Sequence, residues 1–176
     1  MIIDCPIENA IVIHREKNGP LSRTVKERYR FADCSGSGKR MYETITTLLK
    51  NTPRPFAVSG PTVGEIAALA AGMRDAFRHL GAPADEPICL CVEQRSHLLA
   101  ALLASLAGAP PLILPHAFEP QILREVHEAR PFRIILADTA VEPPEGTTVI
   151  GTEACRPSQA PLTLVHPTQK PFVWLF

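Results

Sequence analysis

A glycine-rich turn beside a lysine is suited to holding phosphate, and Cys34-Ser-Gly-Ser-Gly-Lys-Arg40 is the segment of this chain to test for it. A phosphate loop needs Gly, four residues, Gly-Lys and then Ser or Thr, so that backbone donors wrap the phosphates and a hydroxyl reaches magnesium. Here Asp33 stands at the first glycine position and Arg40 at the hydroxyl position, and no apolar strand leads in. The stretch Asp33 to Lys39 therefore predicts a flexible basic turn. Cys89 and Cys91 lie two apart on a predicted strand and share a face. A zinc site would need two further ligands and a wider spacing. No second pair exists, and buried structural cysteines are expected. The six histidines (His14, His79, His97, His116, His127, His166) are dispersed, and none forms a His-Glu-x-x-His pattern. His116 follows a predicted strand end, where open α/β sheets bind ligands. Glu93 and Asp138 end two other strands, although a turn-forming Asp is the plainer reading of Asp138. There is no Gly-x-Ser-x-Gly elbow and no carboxylate pair that stands out. The residues alone assign no catalytic, cofactor-binding or metal-binding position.

The elements that would carry these groups are legible from periodicity. Ile66, Ala70, Met73, Phe77 and Leu80 recur at spacings of four and three, which predicts a helix over 63–80 with one apolar face. Glu65, Arg74, Asp75 and Arg78 lie off that face. Thr62 and Glu65 have the spacing of a capping box, Gly81 suits a left-handed end, and Pro83 stops the helix. The run 87–92 reads as a buried strand. Residues 96–108 follow as a helix that is apolar nearly all round and needs cover on most sides. A second buried strand covers 111–115. Pro120 sits well in the first turn of a helix ending at Arg130, with Ile122, Leu123 and Val126 facing inward. A third strand covers 132–137. Strands buried on both faces and joined by helices predict an α/β fold with a largely parallel sheet and right-handed crossovers. Residues 147–150, 162–165 and 172–176 read as further short strands.

Composition narrows the function classes. The 176 residues balance 18 Lys and Arg against 18 Asp and Glu, which excludes a generic electrostatic grip on nucleic acid or anionic membrane. Eighteen prolines, about a tenth of the chain against a usual ~5%, predict many short elements joined by stiff turns. The five cysteines, Cys5, Cys34, Cys89, Cys91 and Cys155, are an odd and scattered set. With Asp4 and Glu8 close to Met1, no secretory signal is predicted, and a reducing, cytoplasmic setting is expected. The longest apolar stretch, Leu98 to Pro115, is broken by Gly108, Pro110 and Pro111, which argues against a transmembrane helix. The chain stops on Pro-Phe-Val-Trp-Leu-Phe176 with no polar tail. Five apolar residues there would be sticky if unpaired, so a cut inside a larger domain is expected.

Residues 41 to 176 resemble the adenylate-forming enzymes: acyl-CoA synthetases, luciferases and the adenylation domains of peptide synthetases. Pro61-Thr-Val-Gly-Glu-Ile66 is similar to the family's Thr-Tyr-x-Glu-Leu element, whose helix ends in Leu-x-x-x-Gly, here Phe77-Arg-His-Leu80-Gly81. Ala84-Asp-Glu-Pro-Ile-Cys-Leu90 resembles the Gly-Asp-x-Val-x-Leu strand. Leu103-Ala-Ser-Leu-Ala-Gly-Ala109, leading to Leu112-Ile-Leu-Pro115, resembles the Leu-Ala-x-x-x-Ala-Gly-Ala helix and its strand end. Ala129 to Asp138 echoes a later strand. Thr62-Val63 replaces the common Thr-Tyr, and Pro110-Pro111 follows Ala109 where a small or aromatic residue is usual, so the subgroup is left open.

The resemblance implies a fold, the N-terminal part of the family's large domain, with residues 1–39 as an extension of unknown role and 40–176 as an incomplete α/β subdomain. It implies a parent that activates a carboxylic acid with ATP and magnesium as an acyl-adenylate, releases pyrophosphate and passes the acyl group to a thiol of CoA or a carrier protein. In the family the strand like 171–176 runs into the Ser/Thr/Gly-rich loop that cradles the ATP phosphates. The chain stops before that loop, so no family site residue maps onto it. The fragment is expected to bind no cofactor and to be inactive alone. Its partners would be the rest of the large domain and the C-terminal domain, with no nucleic acid. Two alternatives stay open. One is a stand-alone module binding a small molecule near Glu93, His116 and Asp138. The other is an interaction module joined, to itself or to a partner, through the terminal strand.

Overall fold

A computed structural model describes residues 37–50, 60–165 and 173–176. The predicted turn at 33–36, the cysteines Cys5 and Cys34 and the histidines His14 and His166 lie outside the described residues. The described residues form, in chain order, α1 (Ser37–Leu49), α2 (Val63–His79), β1 (Ile88–Cys91), α3 (Arg95–Leu106), β2 (Leu112–Leu114), α4 (Pro120–Ala129), β3 (Ile134–Ala137), β4 (Thr148–Gly151) and β5 (Val173–Leu175). A short 3-10 turn, Thr152–Ala154, follows β4. The strands form one parallel sheet in the order β4-β3-β1-β2-β5.

The pleat divides the core into two layers. Ile88, Leu90, Leu112 and Leu136 face α2 and α3, where Ile66, Ala70, Met73, Phe77, Ala100, Ala101 and Ala104 complete one apolar cluster. Cys89, Cys91, Ile113, Ile135 and Ala137 point to the opposite face and meet Leu123 and Val126 of α4 with Phe132. Strands covered on both faces cannot alternate apolar with polar, which is why they read as unbroken apolar runs. Their dense burial fixes the register, since a slip of one residue would exchange the two faces.

The capping box at α2 is present: Glu65 N–H donates to Thr62 Oγ1 at 3.2 Å, and Thr62 N–H donates to Glu65 Oε2 at 2.7 Å. The Glu65 carboxyl is held below the usual carboxylate range, chiefly by the Thr62 backbone donor and then by its hydroxyl. Gly81 takes φ +64 at the other end, a conformation open to glycine at little steric cost. Pro120 occupies the first turn of α4 as expected.

Several expectations need correction. Ser37, Gly38 and Lys39 are not a turn but the first turn of α1. That helix has a half-buried stripe of Tyr42, Ile45 and Leu49 at spacings of three and four. Leu80 is 49% exposed rather than part of the α2 core, because the helix ends at His79 and Leu80 is its C-cap. Arg74, placed on the outer face, is buried, because the segment 155–165 passes over that side of α2. The Arg74 guanidinium pairs with Asp75 and reaches Pro161 O. Helix α3 is less covered than its composition suggests: Ala100, Ala101, Ala104 and Ser105 are buried, whereas Leu98, Leu99, Leu102 and Leu103 are half-buried. Residues 162–165 form no strand. Val165 N–H instead donates to Leu106 O at the end of α3, and Leu164 O accepts the Tyr42 hydroxyl.

Candidate functional site

The carboxyl ends of β1, β2 and β3 carry the groups that could do chemistry. Helix α3 returns the chain from β1 over one face, and α4 returns it from β2 over the other. The strand order reverses between β1 and β3, and the carboxyl ends at such a switch point are the usual ligand position in these sheets. Glu93 leaves β1, His116 leaves β2 and Asp138 leaves β3.

Asp138 is the organising residue. Its side chain is only 4% exposed. Oδ1 accepts Glu93 N–H at 2.8 Å, and Oδ2 accepts Gln94 N–H at 3.0 Å and pairs with His97 Nδ1 at 2.9 Å. Gln94 is the N-cap of α3 and makes no side-chain cap of its own. The carboxylate of β3 thus ties down the β1–α3 turn from another strand, through the N–H of the N-cap Gln94 and of Glu93 before it. Burial pushes the Asp138 carboxyl up. The His97 hydrogen bond and the two backbone donors outweigh that, and the group sits below the ordinary carboxylate range. Since an ionised carboxylate only accepts, His97 Nδ1 carries the proton in this contact.

His116 does not join that cluster. Its Nδ1 lies 3.2 Å from Phe176 O, at the end of β5. Glu93 is exposed and contributes its backbone rather than its carboxylate. His79 caps the end of α2 through Asp75 O, and the ring of His127 packs edge-on against Phe132 at 4.9 Å. Cys89 and Cys91 are fully buried with their sulfurs 3.9 Å apart. The hydrogen bond to Cys91, and after it burial, push the Cys89 thiol far up. Buried structural cysteines are what the sequence predicts. His97 is the residue that sequence reading missed. It lies on α3, forty-one positions before Asp138, and no local pattern joins the two.

The described residues do not by themselves fit a nucleotide or a magnesium ion. No group of three or more His, Cys, Asp or Glu among them is placed to hold a metal. The best-placed carboxylate, Asp138, is filled by donors of its own chain. No step is therefore routed through either group. Among the described residues no helix is long and apolar enough to cross a membrane.

No protein-family model and no curated protein sequence matches the chain. Solved structures do. The nonribosomal peptide synthetase FmoA3 superposes at TM-score 0.61 with 23% identity, over 76% of this chain and 16% of that one. An artificially fused adenylation–PCP di-domain, NpsA-ThdA from Klebsiella oxytoca, gives TM-score 0.55 at 15% identity, over 70% of this chain and 26% of its own. The N-terminal subdomain of Klebsiella oxytoca NpsA gives 0.54 at 13%, over 70% and 35%. The fold expected from the resemblance is therefore present: a parallel α/β sheet that superposes on part of these structures. The chain spans a sixth to about a third of the length of these structures.

Proposed function

We propose that this chain is the N-terminal scaffold of an adenylate-forming enzyme, an AMP-forming ligase that joins a carboxylic acid to a thiol. The observation that carries the reading is the parallel sheet β4-β3-β1-β2-β5, shared with adenylation-domain structures over 70–76% of this chain. The NpsA subdomain and FmoA3 structures include forms bound to 3-hydroxybenzoyl-AMSN and to AMPPNP, which supports ATP as the co-substrate of the parent, with magnesium. In this reading residues 40–176 supply the first sheet layer of the large domain, and residues 1–39 are an N-terminal extension of unknown role. The rest of the large domain and a C-terminal domain supply the reacting groups, a CoA or carrier-protein thiol accepts the acyl group, and the setting is cytoplasmic. The chain's own contribution is mechanical: α3 and α4 brace the two faces of the sheet, and Asp138 fixes the turn at the carboxyl end of β1.

The test is acid-dependent exchange of pyrophosphate into ATP by the polypeptide isolated from its source, across a panel of aliphatic, aromatic and amino acids. Exchange with at least one acid is expected, and none from residues 1–176 alone. Absence of exchange with every acid overturns the reading. Turnover by residues 1–176 alone would put the reacting groups within this chain. A second reading rests on β5, which ends the sheet with Leu175 36% exposed: an interaction module joined edge to edge. Val173→Lys with Leu175→Lys abolishes assembly in that case, and unaffected assembly rules this strand out as the interface.

A further inference from the structure

The β2–β5 pairing ends in an unusual way. Leu112, Ile113 and Leu114 pair with Val173, Trp174 and Leu175, and Phe176 N–H donates to Leu114 O at 3.0 Å. In a parallel ladder each bonded residue donates one step back and accepts one step ahead along its partner. The next rung would run from the backbone N–H of His116 to Phe176 O. The chain bends after Pro115, and it is the His116 ring, through Nδ1, that meets Phe176 O at 3.2 Å. This oxygen, a carboxylate oxygen of the last residue of the sequence, only accepts, so Nδ1 carries the proton. The side chain stands in for the missing rung.

We infer that His116 is a positioning residue: its Nδ1–H fixes the direction in which the backbone leaves β5 at the carboxyl edge of the sheet. The placement matters because β5 leaves the sheet at its carboxyl edge beside β2, one strand away from β1. Whatever segment continues from Phe176 in a longer polypeptide departs from a carbonyl that His116 orients. The functional part of this inference rests on the ligase reading; the hydrogen bond itself does not.

Three substitutions separate the geometry from bulk. In His116→Asn the side-chain amide nitrogen occupies the place of Nδ1, in His116→Gln the nitrogen falls at the Nε2 position, and His116→Ala removes the donor. The first readout is amide hydrogen exchange at Trp174 and Phe176 in the chain carrying two added glycines after Phe176, so that the acceptor is an amide carbonyl. Loss of one ordinary net hydrogen bond makes exchange there about fivefold faster in the Ala and Gln variants, with β1 and β3 unchanged, while Asn stays near the parent. Nitrogen-15 spectra of the parent chain show His116 as the Nδ1–H tautomer. Equal exchange in all three variants, or an Nε2–H tautomer, overturns the inference. So does an effect that vanishes once the two glycines are added. The second readout is pyrophosphate exchange by the source polypeptide, where Ala and Gln reduce activity and Asn restores it. If the unsubstituted polypeptide shows no exchange, the ligase reading fails, and amide exchange alone decides the role of His116.

Discussion

Replacing Asp138 tests the claim that one carboxylate holds the β1–α3 turn. Asp138→Ala leaves three donors without their acceptor: the N–H groups of Glu93 and Gln94 and the Nδ1–H of His97. A hydrogen bond to a charged group contributes ~1.5–3 kcal/mol. The three share one acceptor and do not add. At 4% exposure the site is nearly dry, and the solvent that enters recovers part of the loss, so the net cost is about 3–5 kcal/mol, similar to breaking a buried pair. Asp138→Asn keeps one accepting oxygen and costs about 1–2 kcal/mol. The pH dependence carries a sign. The Asp138 carboxyl is lowered in the folded chain, so the unfolded chain binds more protons between the two values, and stability rises with pH in that window. The contribution is complete above the unfolded value of about 3.9 and is lost as pH falls through the folded value. Urea unfolding followed by far-ultraviolet circular dichroism, from pH 7 to pH 3, measures both effects. A cost below about 1 kcal/mol for Asp138→Ala at pH 7 would refute the argument. So would a cost that does not shrink in acid.

Gly72→Ala exchanges a poor helix former for a good one and would ordinarily stabilise α2 by about 1 kcal/mol. Here the added Cβ would lie 1.9 Å from Arg156 O, so a loss of about 1–3 kcal/mol is expected, read as a lower melting temperature. A gain in stability would place the 155–165 segment elsewhere. Phe77→Ala removes a fully buried ring and costs about 3–5 kcal/mol. Leu80→Ala, on the same helical stripe but exposed, stays within about 0.5 kcal/mol; similar costs in urea unfolding would contradict the observed end of α2. Cys89, Cys91 and Cys155 are buried, with the Cys89 and Cys155 thiols pushed up, by the Cys91 hydrogen bond and by burial respectively. They are expected to resist an aromatic disulfide reagent at pH 8 until the chain unfolds. Labelling of the folded chain at the unfolded rate would show a reactive site instead.

The sheet and helices α2, α3 and α4 were legible because burial wrote them into the sequence. The strands around Leu90, Ile113 and Ile135 are apolar runs of the right length, and α2 announces both ends through Thr62, Glu65 and Gly81. Helix α1 was not legible: its half-buried stripe is weak, and the Ser-Gly-Ser-Gly composition before Lys39 outweighs it in any local reading. The buried Arg74 and the absence of a strand at 162–165 share one cause. The segment after β4 uses Ser158, Pro161, Leu164 and Val165 to bond helices already in place. Those partners lie far back in the chain, and periodicity carries no trace of them.

The same limit applies to the carboxyl edge of the sheet, and there it follows a pattern. Residue type correctly places a histidine and an aspartate at strand ends, the positions where ligand groups are sought. What they do there is set by backbone groups that the fold leaves unpaired. The turn from β1 into α3 must find acceptors for its N–H groups, and Asp138 reaches over from β3 to accept those of Glu93 and the N-cap Gln94. A parallel ladder that bends away after Pro115 leaves a carbonyl without its rung, and the His116 ring supplies the donor. Both side chains complete hydrogen bonding that begins in a different strand. They end the two strands that flank β1, His116 at β2 and Asp138 at β3. A single acceptor and a single donor, each contributed across a strand boundary, therefore set the backbone at the carboxyl edge of the sheet. That is the physical reason to seek the effects of Asp138 and His116 in positioning rather than in chemistry.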